Sequence, residues 1–308
     1  MNQKSFTLIE ILVVIVVIGI ISSFIIVGLS SVSDKANIAK GQAFSNSLRN
    51  SLLMNLVSEW KIDSIVGSSP PYTTTDSWGN NTGTLMDTDN ACSFTGTLRC
   101  PQLITSGCPS GNCLDFDGVD DYINIGNASS LTITDEITIE FWAYKKGSSS
   151  NGYCSETVSR RGCYDVCCED LYTTFPGVEG TPMIADNSVP SLNRWYHLVY
   201  TYNSNNKIGK AYRDSLLVNT RDLIILYPTA TSYKLGTTCS NLYISNSVYR
   251  WNGRLDEIRL YQQNLSDSQI QQNYFLGLNS LYKNRGIAEN EYVERIAELK
   301  TNSYSAIN

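Results

Sequence analysis

The stretch EITIEFWAY (136–144) alternates with a period of two. In an extended chain Ile137, Ile139, Phe141 and Ala143 share one face, and Thr138, Glu140, Trp142 and Tyr144 share the other. WYHLVYTY (195–202) alternates in the same way, and DEIRLYQ (256–262) makes a further strand before a helix signal. Upstream, GSSPPYTTTDSWGNNTGTLMD (67–87) is rich in turn formers. Many short strands joined by polar loops specify a mainly β chain folded as an antiparallel sandwich.

Composition narrows the class. The formal net charge is −6 and no dense basic stripe is present, so nucleic acid is not indicated as the main ligand. A single histidine, His197, rules out His-rich metal sites, and its mid-strand place reads as structural rather than catalytic. The nine cysteines are Cys92, Cys100, Cys108, Cys113, Cys154, Cys163, Cys167, Cys168 and Cys239. All follow the amino-terminal apolar segment, as expected of disulfides in an oxidising compartment. The alternative, zinc, draws on CPSGNC and CYDVCC, but the spacings are irregular. An odd count leaves at least one thiol free or paired between subunits, and the connectivity stays open.

At the amino end, FTLIEILVVIVVIGIISSFIIVGL (6–29) is long enough to cross a bilayer as a helix. Lys4 and the amino terminus mark its cytoplasmic side. Glu10 sits inside this run, followed by Ile11 to Leu29 with no ionisable residue. A charge at mid-bilayer costs about 2.5–3.5 kcal/mol on insertion scales, which a plain anchor would gain nothing from. Beyond the bilayer Phe44, Leu48, Leu52, Leu56 and Trp60 recur every four residues with no proline, predicting that the helix continues to about Val57. Gly19 and Gly28 are its weak points.

This segment resembles the amino terminus of bacterial type IV pilins and pseudopilins. The resemblance implies that a prepilin peptidase cuts between Ser5 and Phe6 and N-methylates Phe6. The family usually has glycine before the cut, where this chain has Ser5. The new amine on Phe6 would then pair with Glu10 of a neighbouring subunit, so that two buried charges cancel only on assembly.

The outer part resembles the laminin-G-like, concanavalin A-like lectin/glucanase jelly roll. The matching pieces are DSWGNNTGTL (76–85), LDFDGVDDYINIG (114–126), ITIEFWAYKK (137–146), NRWYHLVYTYN (193–203), AYRDSLLV (211–218) and WNGRLDEIRLYQQNLSDSQI (251–270). YRDS stands where the family has a Tyr-x-Asp-Gly hairpin. Residues 147–192 read as a strand-poor, disulfide-tied insertion. The expected organisation is a leader (1–5), a long helix (6–57), a jelly roll (58–265) and a helical tail (266–308). In the tail, Ser266 and Gln269 form a capping box, NRG breaks the first helix, and Tyr292, Val293, Ile296 and Leu299 line one side of the second.

Jelly rolls of this type host lectins, adhesion modules and glycosidases, so fold alone does not select a chemistry. Glu136 and Glu140 lie four residues apart on one strand, roughly 13 Å, too far for a retaining pair. The chain is therefore read as a non-enzymatic pilus subunit displaying a lectin-like adhesion module; a pseudopilin of a type II secretion or DNA-uptake machine is the alternative, and a filament-tethered glycosidase the third. Trp142 and Tyr144 are the sugar-stacking candidates, set against packing beneath a loop or the long helix. The resemblance also implies a structural calcium ion at Asp256, helped by Asp63 or Asp76, set against turn-capping aspartates. Expected partners are other pilin subunits, the prepilin peptidase, an assembly platform, membrane lipid before assembly, and glycans or proteins on another surface. The subunit would wait in the cytoplasmic membrane and end outside the cell. Replacing Glu10→Leu is expected to leave the protein in the membrane and abolish its entry into filaments; pull-down of sheared filaments measures this, and normal incorporation refutes the charge-pairing account.

Overall fold

The computed structural model describes residues 54–88, 90–94, 100–147, 155–167, 172–174, 191–223, 235, 239–246 and 248–305. Ser5, Phe6, Glu10, the 6–29 span, the helix expected up to residue 53, Cys154 and Cys168 lie outside these residues. The chain divides into units 1–54 and Asn55–Asn308. No helix among the described residues is long and apolar enough to cross a membrane.

The second unit contains β1 (Leu56–Trp60), β2 (Thr73–Thr74), β3 (Gly83–Asp87), β4 (Asn90–Ala91), β5 (Gln102–Ile104), β6 (Cys113–Asp117), β7 (Asp121–Gly126) and β8 (Glu136–Lys145). There follow β9 (Glu156–Arg160), β10 (Tyr164–Cys167), β11 (Tyr172–Thr174), β12 (Trp195–Asn203), β13 (Ile208–Arg213), β14 (Leu216–Asp222), β15 (Leu242–Ile244) and β16 (Asn252–Tyr261). Helices α1 (Asp267–Lys283) and α2 (Glu289–Ser305) close the chain. One sheet runs β14-β13-β12-β8-β16-β6-β5, with β1 also on β16; the other runs β11-β10-β9-β15-β7-β3-β2, with β4 on β3. The described pairings are antiparallel, giving a jelly-roll-like sandwich.

Alternation explains the core. Ile137, Ile139, Phe141 and Ala143 of β8 and Leu198, Tyr200 and Tyr202 of β12 meet Ile123, Ile125, Val158, Val166 and Ile244 of the opposite sheet. Strand β16 is shared along one edge: residues 252–255 pair with β6, and 258–261 pair with β1. A register shift between Asp256 and Arg259, with Glu257 at φ 51°, separates the halves.

Three expectations need correction. Leu56, Val57 and Trp60 are not helical; they form β1, with Leu56 opposite Tyr261 and the Trp60 indole donating to Asn81 O at 2.7 Å. The outer unit therefore begins at Asn55, not at 58. The 147–192 segment contains strands, β9 to β11, rather than being strand-poor. Val293 is exposed, whereas Tyr292, Ile296 and Leu299 pack inward as expected.

Other local signals hold. Ser266 and Gln269 form the capping box of α1, and the helix stops before Arg285 at φ 60°, with Gly286 N donating to Leu281 O at 2.9 Å. The YRDS hairpin survives without glycine, Asp214 and Ser215 taking φ 50° and 67° between β13 and β14. Disulfides join Cys92–Cys100, Cys108–Cys113 and Cys163–Cys239, with Cα separations of 5.2, 5.7 and 5.5 Å.

The helical tail covers the outer face of the first sheet. Tyr274, Leu278 and Leu281 pack on Trp142, Trp195 and the Cys108–Cys113 bridge. Helix α1 comes so close that a Cβ on Gly277 would stand 2.6 Å from the Trp142 ring. A buried polar chain reinforces the contact. Glu140 accepts from His197 Nε2 at 2.8 Å and from Asn273 Nδ2 of α1 at 2.9 Å, with Arg259 at 3.6 Å. Arg259 in turn donates to Glu59 of β1 at 2.8 Å. From α2, the buried Arg295 donates to Trp195 O at 2.8 Å and faces Asp214 at 3.8 Å.

Burial alone would raise the pKa of Glu140, but the hydrogen bond and charge of His197, with Arg259 and Asn273, outweigh it and hold it below the ordinary value. Glu59 is lowered in the same sense: Arg259, Ser77 and Lys61 overcome its burial. A folded value below the unfolded one means stability present above the ordinary carboxylate range and lost as pH falls through the folded values. Glu140→Gln is expected to cost about 1–3 kcal/mol at neutral pH. Its deficit against the parent should shrink as pH falls below the ordinary carboxylate range, as read from denaturant midpoints across pH. Gly277→Ala, which in an open helix stabilises by about 1 kcal/mol, should here lower the thermal midpoint, because overpacking the indole costs about 1–3 kcal/mol.

Candidate ligand-binding face

The two aromatic candidates on β8 do not form an open platform. Trp142 is 1% exposed, its ring 5.7 Å from Tyr274 and 5.2 Å from His197. Tyr144 is wedged between Trp195, 5.5 Å away, and the Arg254 guanidinium, 5.1 Å away. Their role is to seat the tail, because the chain's own α1 and α2 occupy the surface where a sugar would lie. The β8 carboxylates are also engaged: Glu136 accepts from Asn203 Nδ2 at 2.7 Å and Asn264 N at 3.1 Å, and Glu140 serves the His197 network. His197 is fully buried.

The structure separates the three aspartates considered for calcium. Asp76 accepts from the backbone N–H groups of Glu59 (2.9 Å), Trp78 (3.1 Å), Gly79 (2.8 Å) and Asn81 (3.1 Å). Oδ1 takes three of these donors and Oδ2 one, so the carboxylate braces the 76–81 loop. Asp63 and Asp256 do come together, at the place where β1 ends and β6 begins along β16. Asp256 Oδ2 accepts from Ser110 N and Oδ1 from Glu257 N, both at 2.8 Å. Asp63 Oδ1 accepts from Asn112 N at 3.0 Å. Gly111, at φ 44°, lets the loop close: a Cβ there would meet Asp63 Oδ1 at 2.0 Å. Burial first, then the Asp63 charge, holds Asp256 well above the usual carboxylate range despite the Ser110 bond and Arg259. A hard cation would relieve that cost, and Asp63 and Asp256 are oxygen ligands of the kind that could hold calcium.

The second sheet presents a different outer face. Because Ile123, Val158, Ile244 and Val166 point into the core, Asn124, Tyr243, Ser159 and Asp165 point away from it. Register aligns them in one row across five strands: Thr84 opposite Asn124, Asn124 opposite Tyr243, Tyr243 opposite Ser159, and Ser159 opposite Asp165. Tyr122 meets Tyr243 edge-on at 5.8 Å between ring centroids. Ser159 is fully buried and braces the row from within, its Oγ donating to Asp165 at 2.6 Å and accepting from the buried Asn246 Nδ2 at 2.8 Å, while Asn241 Nδ2 reaches the half-buried Asn124 at 3.4 Å. Beside this row, burial and then the Asp165 charge push Glu156 up to about 7. Amide, hydroxyl, carboxylate and phenol groups in a line are the donor–acceptor set that a polyhydroxylated ligand needs. Sequence reading missed the row because its members come from five separated segments. The alternation of Tyr122 and Asn124 within DYINIG was the available signal.

Residues 117–271 match the family described as the concanavalin A-like lectin/glucanases superfamily. Residues 1–26 match the prokaryotic N-terminal methylation motif. No curated protein sequence matches the chain. Among solved structures, the binding domain of Paraclostridial Mosquitocidal Protein 1 is similar at 16% identity and TM-score 0.51, over 74% of this chain and 53% of that one. A botulinum neurotoxin type C structure is similar at 13% identity and TM-score 0.50, over 76% of this chain and 53% of that one. The chain thus spans about half the length of these structures, and at such identities the likeness is one of fold. Its family match, covering residues 117–271, and its two-sheet sandwich place the chain in the concanavalin A-like lectin/glucanases superfamily.

Proposed function

We propose that this chain is a pilin-like subunit that carries a lectin-like binding module to the cell surface. The observation that carries the reading is the union, in one chain, of the methylation motif at 1–26 with a concanavalin A-like module. Cleavage between Ser5 and Phe6 frees the Phe6 amine, Glu10 of the next subunit neutralises it, and the filament forms as lipid-buried charges pair. A type IV pilus is the assembly this reading favours. The disulfides fit an oxidising exterior.

In the module, the first sheet is sealed by α1 and α2, and the ligand face is the outer side of the second sheet at Thr84, Asn124 and Tyr243, with Asp165 beyond the buried Ser159. Support for a carbohydrate ligand comes from the chemistry of that row and from the fold. The similar botulinum neurotoxin type C is a protein whose cell entry is dependent upon interaction with two ganglioside molecules. The module acts by binding rather than by hydrolysis, with Glu136 and Glu140 both committed to internal hydrogen bonds. A calcium ion held by Asp63 and Asp256 would serve to lock the junction of β1, β6 and β16.

The test is a glycan array probed with the full chain in detergent, beside a hydrolysis assay on each glycan bound. Selective, saturable binding without turnover is expected. Tyr243→Ala should weaken it at least about tenfold, or 1.4 kcal/mol, while the thermal midpoint and filament incorporation stay near the parent's. Turnover of a glycan, or binding indifferent to Tyr243→Ala and Asn124→Ala, overturns the assignment.

A further inference from the structure

A second acidic centre lies at the rim of the other sheet, with no residue in common with the Asp63–Asp256 junction. Strand β3 ends at Asp87, directly opposite Asp121 at the start of β7. The turn from β6 into β7 adds Asp117 and Asp120. Asp117, Asp120 and Asp121 each offer a carboxylate oxygen within 4.8 Å of the others. The Asp87 carboxylate lies against that of Asp120, and its charge also acts on Asp121.

Two of these oxygens are orphaned. Asp87 is 1% exposed and Asp121 2%. Asp87 Oδ1 accepts from Thr88 Oγ1 at 3.1 Å, and Asp121 Oδ2 from Asp117 N at 3.0 Å. Asp87 Oδ2 and Asp121 Oδ1 have no hydrogen-bond partner among the described residues, although both are buried. Asp117 Oδ1 accepts from Val119 N and Asp120 N, at 2.8 and 3.3 Å, and the side chain is exposed. Arg250 brings positive charge toward Asp120, one guanidinium against four carboxylates. Buried carboxylate oxygens without donors are costly, and packing them against one another compounds the cost.

We infer that Asp87, Asp117, Asp120 and Asp121 form a binding site for a divalent cation, calcium by the chemistry of the donors. The set is all oxygen, with no nitrogen or sulfur ligand, which selects a hard cation over zinc or copper. Asp87 and Asp121 are buried, Asp120 is half-buried and Asp117 is exposed. Such a mixed, irregular shell suits the 6–8 oxygen ligands of calcium better than the strict octahedron of magnesium. The ion would clamp the β3–β7 pair at the same sheet end from which Tyr122 and Asn124 enter the ligand row.

The test uses the full chain in detergent, stripped with EDTA and titrated with calcium chloride by calorimetry and thermal shift. The parent and Asp256→Asn chains are each expected to bind calcium here, with Kd on the order of 10⁻⁴–10⁻³ M as in extracellular calcium modules. Asp87→Asn combined with Asp121→Asn should lose that equivalent. These isosteric changes remove the like-charge repulsion, so the variant should melt at or above the parent in EDTA. Asp117→Asn, at an exposed position, should weaken binding at least tenfold without touching the buried pair. Calcium binding unchanged by Asp87→Asn with Asp121→Asn and by Asp117→Asn overturns the site. A parent chain that takes up no calcium equivalent also overturns it, and then a shared proton holds the buried pair. Loss confined to Asp256→Asn likewise overturns it, and supports the separate Asp63–Asp256 junction.

Discussion

The contact of α1 with β8, where an absent Cβ at Gly277 admits the Trp142 indole and Asn273 reaches the buried Glu140, organises the rest of this molecule. It gives β8 two buried faces instead of one. The inner face belongs to the sandwich core and the outer to the helical tail. A carboxylate as deeply buried as Glu140 is tolerable only because His197, Asn273 and Arg259 surround it, and each comes from a different element. Through Arg259 and Glu59 the same network reaches β1, the strand by which the amino-terminal part of the chain enters this unit.

That arrangement decides where binding can occur. A jelly roll offers two broad sheet faces, and here one is occupied by residues 267–305. The other carries a polar row that crosses five strands, flanked by the Tyr122–Tyr243 pair. Buried acidic groups lie at two places: Asp256, in mid-β16 beside its register shift and near Asp63, and Asp87 with Asp121, where β3 ends and β7 starts. Strand ends are where backbone groups run out of ladder partners and where an ion can replace them.

How much was legible depends on the range of the interaction. The capping box of α1 reads directly from Ser266 and Gln269, because the partners are three residues apart. The two faces of β8 read from alternation alone. The stripe Phe44, Leu48, Leu52, Leu56 and Trp60 misled at its end, since residues four apart share a face in a strand as well as in a helix. Leu56 and Trp60 chose the strand because β16 had an unpaired edge for them. The part Asp76 plays in bracing its loop was not legible, because its four backbone donors are supplied by loop geometry that no local pattern announces.

Local spacing by itself determined a strand-rich body and a capped helical tail, and it set out an amino-terminal run, Phe6 to Leu29, whose one charged residue is Glu10. Periodicity and capping act over a few residues, so they are written in neighbouring letters. Only the tertiary structure decided that the tail covers Trp142, that a polar row crosses the second sheet, and that Asp87 meets Asp121. Those outcomes depend on strand register and helix docking between distant segments, where one residue of slip exchanges the buried face for the exposed one.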